Sequence, residues 1–289
     1  MLTEEAAADG KPGKNNLQGS KCDMATVIVV TNQKGGVGKT TTCAALTGIF
    51  RSRGMRVLAI DMDPQGNLSF SLGAEDEGYT IHDVMMGKCD IREAIKVTHI
   101  CDVITSNILL SGTELELTSD RREFILKDIL RLVRYAYDYI IIDTPPALSI
   151  LTINAYTAAD DLIIPMTPEI LSLQGIAQLK DTILAVKKYY NNKLNIRGIL
   201  LTKYVPRQTL AMEVAEMVEI VAEQLKTQVL DIKISVSVAV AEAPAHQEVI
   251  TTYSPGCRAA KDYVKLAEFL YPEIAPQRKT GFRRIIGQA

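Results

Sequence analysis

The chain has 289 residues, 47% hydrophobic and 23% charged, with a formal net charge of -2, the balance of an ordinary soluble globular protein long enough to bury a substantial core. No apolar run approaches the ~20 residues that a membrane-spanning helix needs. The near-neutral charge excludes nucleic-acid binding through overall charge, so any such attraction must come from a local patch.

Residues 1–23, rich in Gly, Lys, Asn, Ala and acids without periodicity, read as a disordered leader. They lack the apolar stretch of a secretion signal, and a cytoplasmic protein is expected. ATVIVVT (25–31) is a continuous β-branched run typical of a strand covered on both faces, and the segment 41–54 follows as a helix stopped by Gly54. MRVLAID (55–61) is a second buried strand, and further strands are expected at 102–106, 137–143, 161–167, 196–202 and, more weakly, 229–234. A long helix is expected over 207–225, with Leu210, Val214, Met217, Val218, Val221 and Leu225 on one face and Glu213, Glu216, Glu219 and Glu223 on the other. Strands alternating with helices imply right-handed crossovers and a doubly wound, mostly parallel α/β sheet. With no linker inside 24–271 and no internal repeat, one α/β domain with two tails is expected, the second being 272–289.

Five scattered cysteines (Cys22, Cys43, Cys89, Cys101, Cys257) form no C-x-x-C pair, which points to reduced, buried thiols rather than a zinc site or disulfide framework.

The stretch TNQKGGVGKTTT (31–42) lies between the first strand and the first helix, the setting that a phosphate loop requires. Its ending, Gly38-Lys39-Thr40, fits the usual G-x-x-x-x-G-K-[ST] pattern, but Gln33 stands where the first glycine belongs, with a second lysine, Lys34, beside it. Backbone N–H groups of Gly35, Gly36, Val37 and Gly38 can curl around phosphate oxygens at the positive end of the helix. Lys39 then reaches the β and γ phosphates, and the Thr40 hydroxyl serves Mg²⁺. Magnesium prefers carboxylate oxygens, often through water. Asp143 closes the apolar run Tyr139 to Ile142, while Asp61 and Asp63 lie two apart in DMDPQGN, whose Pro-Gln-Gly-Asn turn aims Asp63 towards the γ-phosphate.

KGGVGKTT (34–41) resembles the deviant Walker A loop of the ParA/MinD class of P-loop ATPases, and DMDPQGN (61–67), IIIDTPP (140–146) and AEAP (241–244) are similar to the ParA/Soj partition branch, in matching order over roughly 25–270. The resemblance implies a P-loop NTPase fold, ATP and Mg²⁺ as ligands, and an ATP-dependent homodimer. It makes Lys34, Lys39 and Asp63 the catalytic set, with Lys34 crossing to the other subunit's phosphates. It assigns Gly35, Gly36, Val37, Gly38, Lys39, Thr40 and Thr41 to the nucleotide, and Thr40, Asp61 and Asp143 to the metal. It further implies non-specific DNA binding in the ATP state, association with the nucleoid and stimulation by a ParB-type centromere-binding partner.

TKYVPRQTL (202–210) is similar to the family stretch that supplies an arginine for DNA, here Arg207, with Lys203 nearby. The chain departs from the family before AEAP: Ser235 replaces a proline that borders adenine, and Val236 and Ala239 replace arginines, leaving Lys233, Arg258 and Lys261 as compensating charges.

The tail carries Arg278, Lys279, Arg283 and Arg284 against one acid, Glu273, with Phe282, Ile285 and Ile286 at helical spacing. An alternative is therefore a MinD-like ATPase that works on a membrane surface, although so short a basic segment is marginal there and a membrane is not the expected partner. Iron-sulfur reductases share the loop but need paired cysteines, and Cys89 and Cys101 lie outside the matching motifs. A metabolic kinase or ligase on this scaffold has no need of Lys34.

Overall fold

The β-branched run near the start becomes the interior of a seven-stranded sheet. The computed structural model describes residues 24–75, 77–206 and 209–276. The strands are β1 (Thr26–Val30), β2 (Val57–Asp61), β3 (Ile95–Val97), β4 (Asp102–Ile104), β5 (Tyr139–Asp143), β6 (Asp161–Met166) and β7 (Asn195–Leu201), in the order β3-β4-β2-β5-β1-β6-β7. All neighbours pair in parallel except β3, which runs antiparallel to β4 at one edge. Alternation divides the run 26–30 between two cores. Val27 and Val29 join Ile140 and Ile142 on one face, whereas Ile28 and Val30 join Tyr139 and Ile141 on the other.

The helices that matter to the site are α1 (Lys39–Ser52), α2 (Asn67–Ser71), α3 (Ile150–Ala158), α4 (Ile170–Tyr189), α5 (Thr209–Gln224) and α6 (Arg258–Leu270). α1 and α6 cover the Ile28 face, and α3, α4 and α5 cover the Val27 face. α1 ends as expected at a left-handed Gly54, φ 82°.

Two expectations need correction, and one strand was not foreseen. The segment 229–234 is not a strand of the sheet: it touches β7 through an isolated Ile199–Val229 bridge and scattered backbone bonds, because the polar Asp231 and Lys233 keep it from burying a second face. On α5, Val214, Val218 and Ala222 form the buried stripe, while Met217 is 51% exposed at its margin. β3 was not expected, since Ile-Lys-Val on a sheet edge is too short to carry a period. The leader 1–23 and the tail beyond Pro276 lie outside the described residues, as do Cys22 and Arg207. Cys43 and Cys101 are buried, Cys89 and Cys257 half-buried, and these four thiols are free.

Candidate functional site

β2, β5 and β1 are neighbours, so their carboxyl ends bring three loops together. The register pairs Asp143 with both Asp61 and Val30, which sets two carboxylates beside the point where the glycine-rich loop leaves the sheet. Ligands bind in this position in open α/β sheets, where chain connections diverge.

The loop is pinned along its length. Asn32 Nδ2 donates to the Pro165 carbonyl at 2.8 Å, and Asn32 Oδ1 accepts from the Lys34 N–H at 2.9 Å. Thr202 Oγ1 donates to the Val37 carbonyl at 2.8 Å. Gly36 and Gly38 have φ of 71° and 89°, left-handed values that side chains resist, and Gly38 leads directly into α1. The N–H groups of the first turn of α1 thus open onto the loop with no side chain capping them.

The two lysines occupy opposite environments. Lys39 is 6% exposed and its Nζ donates to the Lys34 carbonyl at 3.1 Å. Burial pulls its pKa below the ordinary lysine value, opposed by the nearby Asp143 and Asp63 charges. The Lys34 side chain is 28% exposed and points away, its Nζ donating to Glu169 Oε2 at 2.5 Å and to Ser172 Oγ at 3.0 Å. That contact holds the Glu169 carboxyl below the usual carboxylate range.

The carboxylates also divide their tasks. Thr40 Oγ1 donates to Asp143 Oδ2 at 2.6 Å. Asp143 is fully buried, and burial together with the Asp61 charge pushes its pKa up to about 8. Its Oδ1 has no hydrogen-bond partner among the described residues. Asp61, pushed up to about 6 by burial, is fully engaged: it accepts from the Ser69 N–H and Ser69 Oγ, both at 2.8 Å, and from the Asp63 N–H at 3.1 Å. It thereby holds α2 and the intervening turn. Asp63 Oδ1 accepts from the Gln65 N–H at 3.0 Å, fixing the turn expected from Pro-Gln-Gly-Asn.

The Thr40–Asp143 pair, with its unpaired buried oxygen, suits a hard cation held partly by protein oxygen and partly by phosphate and water. Among the described residues, no three His, Cys, Asp or Glu side chains converge as a metal site made of protein alone.

A cavity of about 910 Å³ opens from the loop. Gly35, Gly36, Lys39, Thr40 and Asp63 form its polar end, and Phe70, Val236 and Pro244 are among its apolar lining. Of the charges expected to meet DNA, Lys203 lies against this cavity, whereas Lys233 and Arg258 are not among the residues that line it. Lys203 lines the cavity with a left-handed φ of 49°. The Lys233 ammonium lies over the Tyr204 ring, 4.9 Å from its centroid. Arg258 opens α6, whose Asp262 accepts from the Ser235 N–H at 3.0 Å. Val236, in the place of a family arginine, is 57% exposed. Sequence reasoning missed Ser69, Thr202 and Glu169; a serine eight residues beyond Asp61 and a threonine just after a strand carry no signature, and Glu169 lies 135 residues from Lys34.

A family model described as an AAA domain matches residues 25–196. The sporulation initiation inhibitor protein Soj of Bacillus subtilis (strain 168) is 42% identical over 250 residues, which cover 85% of this chain and 98% of that protein. The solved structure of cobyrinic acid a,c-diamide synthase from Mycobacterium smegmatis with ADP and magnesium is 34% identical, with a TM-score of 0.74, covering 86% of this chain and 94% of that one. The septum site-determining protein MinD of Pyrococcus horikoshii OT3, solved with Mg-ADP, is 25% identical with a TM-score of 0.71, covering 88% of this chain and all of the other.

Proposed function

Because this chain belongs to the AAA-domain family of Soj/ParA chromosome-partitioning ATPases, we propose that ATP closes it into a homodimer that holds DNA without sequence preference until hydrolysis releases it. The chain is an ATPase that uses ATP with Mg²⁺. Residues 24–271 act as the ATPase domain, flanked by the leader 1–23 and the basic tail 272–289.

The observation that carries this reading is the opposite placement of the two loop lysines. Lys39, turned inward, serves the β and γ phosphates of its own ATP, wrapped by N–H groups of Gly35 to Thr41. Thr40, Asp61 and Asp143 would hold the metal. A Mg²⁺ ion held there would supply positive charge to the triphosphate during phosphoryl transfer. Asp63 orients the attacking water; an ionised carboxylate is a weak base, so its contribution is position rather than proton removal. Lys34, facing outward, crosses to the partner's triphosphate. Phosphoryl transfer spreads charge over oxygens, so a cation delivered from outside can be worth ~10³ to 10⁵ in rate. Dimerisation then becomes both a result of ATP binding and a condition of hydrolysis. A metabolic enzyme on the same scaffold has no such use for an outward lysine.

Lys203, Lys233 and Arg258 meet the DNA backbone together with Arg207, and a ParB-type partner accelerates hydrolysis. Nucleoid association follows from the DNA contact. The test is retention on DNA at several salt concentrations with ATP, ADP or no nucleotide: ATP-dependent retention that falls steeply with salt is expected, and retention indifferent to nucleotide overturns the reading.

A further inference from the structure

We propose that Glu169 is a positioning residue that holds Lys34 on its own chain until a second protomer's triphosphate draws it away; this rests on the two-protomer reading above. Glu169 stands immediately before α4, in extended backbone (φ -126°, ψ 142°), and its side chain makes no capping bond to its own helix. Its carboxylate instead takes the Lys34 ammonium at 2.5 Å. Ser172, buried in the first turn of α4, gives that ammonium a second acceptor at 3.0 Å and is itself fixed by Thr167 Oγ1 at 3.1 Å. Lys34 is therefore not a loose surface lysine but one parked at a defined position, within the same loop that holds the nucleotide.

The parking place is suited to release. With side chains 28% and 57% exposed, the pair is well hydrated. Such pairs alter an equilibrium by a factor of about 2 to 5, far less than a triphosphate offers a cation. After Lys34 departs, the carboxylate remains next to the positive end of α4 and near Lys203, so its charge is not stranded. Glu169 therefore opposes dimerisation weakly and in both protomers at once. A dimer opens two such contacts, and the factor enters the dimerisation constant twice, about 4 to 25 in all.

The experiment uses the full chain with Glu169→Gln, which keeps shape and removes charge. Acetylation of Lys34 without nucleotide, followed by mass spectrometry, is expected to quicken about 2- to 5-fold. Light scattering with Mg-ATP is expected to place the monomer–dimer midpoint about 4- to 25-fold lower in protein concentration. In a Lys34→Ala background, Glu169→Gln should not restore dimers, an outcome that a general loosening of the fold does not produce. If the wild type dimerises and Glu169→Gln neither exposes Lys34 nor shifts the midpoint, the holding role is wrong and the dimer reading stands. If both proteins remain monomeric in Mg-ATP, the dimer reading falls, and the holding role falls with it.

Discussion

Lys39 and Lys34 sit five residues apart in one loop, yet one is buried among carboxylates and the other half-exposed beside Glu169, just ahead of α4. The difference teaches how a single loop serves two purposes. The interior lysine faces Asp143 and Asp63, groups of its own chain that cannot leave, and so it suits a permanent nucleotide contact. The exterior lysine is held by one hydrated ion pair and one hydroxyl, interactions weak enough to be exchanged.

The sharpest way to break the comparison is to remove each function in turn. Lys39→Ala is expected to lose about 2 to 5 kcal/mol of ATP binding, because the phosphates and the carboxylates around Asp143 lose their common counter-charge. Isothermal titration calorimetry checks this, and near-normal affinity would move Lys39 out of the site. Asp63→Ala should bind ATP and dimerise but slow hydrolysis by about 100-fold, the loss that follows when a water is misplaced. Single-turnover kinetics beside light scattering separate those effects.

The interior region also predicts a pH dependence. Asp143 and Asp61, raised to about 8 and about 6, retain protons in the folded chain that the unfolded chain releases near pH ~4. Their contribution to stability is therefore complete below pH ~4 and is lost as pH rises through about 6 and about 8. In nucleotide-free melts, the wild type should lose Tm relative to Asp143→Asn between pH 5 and 8. A constant difference between the two would contradict the buried-carboxylate account.

The smallest effect belongs to the rim. Lys203→Glu should leave ATP binding unchanged, weaken DNA binding uniformly across sequences and lower the salt slope by about 1, as loss of one phosphate contact requires. Salt titrations of DNA affinity measure it.

Much of the interior region was legible in the sequence, because a strand, a glycine-rich turn and a helix are contiguous, and Asp143 closes an uninterrupted apolar run. The exterior region was legible only in part. Lys34 is conspicuous beside Gln33, but its partner Glu169 follows β6, and only the β1–β6 pairing brings them together. Asp61 reads as a free carboxylate until folding turns the Ser69 N–H and hydroxyl onto it. Met217 fits a helical face by spacing, yet the curvature of contact favours the stripe Val214, Val218 and Ala222 and leaves it outside.

The central claim is that Lys34 acts on the other protomer's nucleotide, and subunit complementation tests it most directly. Lys34→Ala retains Asp63 but cannot donate its lysine; Asp63→Ala donates Lys34 but cannot orient its own water. Each alone should be nearly inactive in ATP hydrolysis, and mixing them should restore turnover, at the nucleotide of the Lys34→Ala protomer in the mixed dimer. A mixture as inactive as its two components would contradict the crossing lysine.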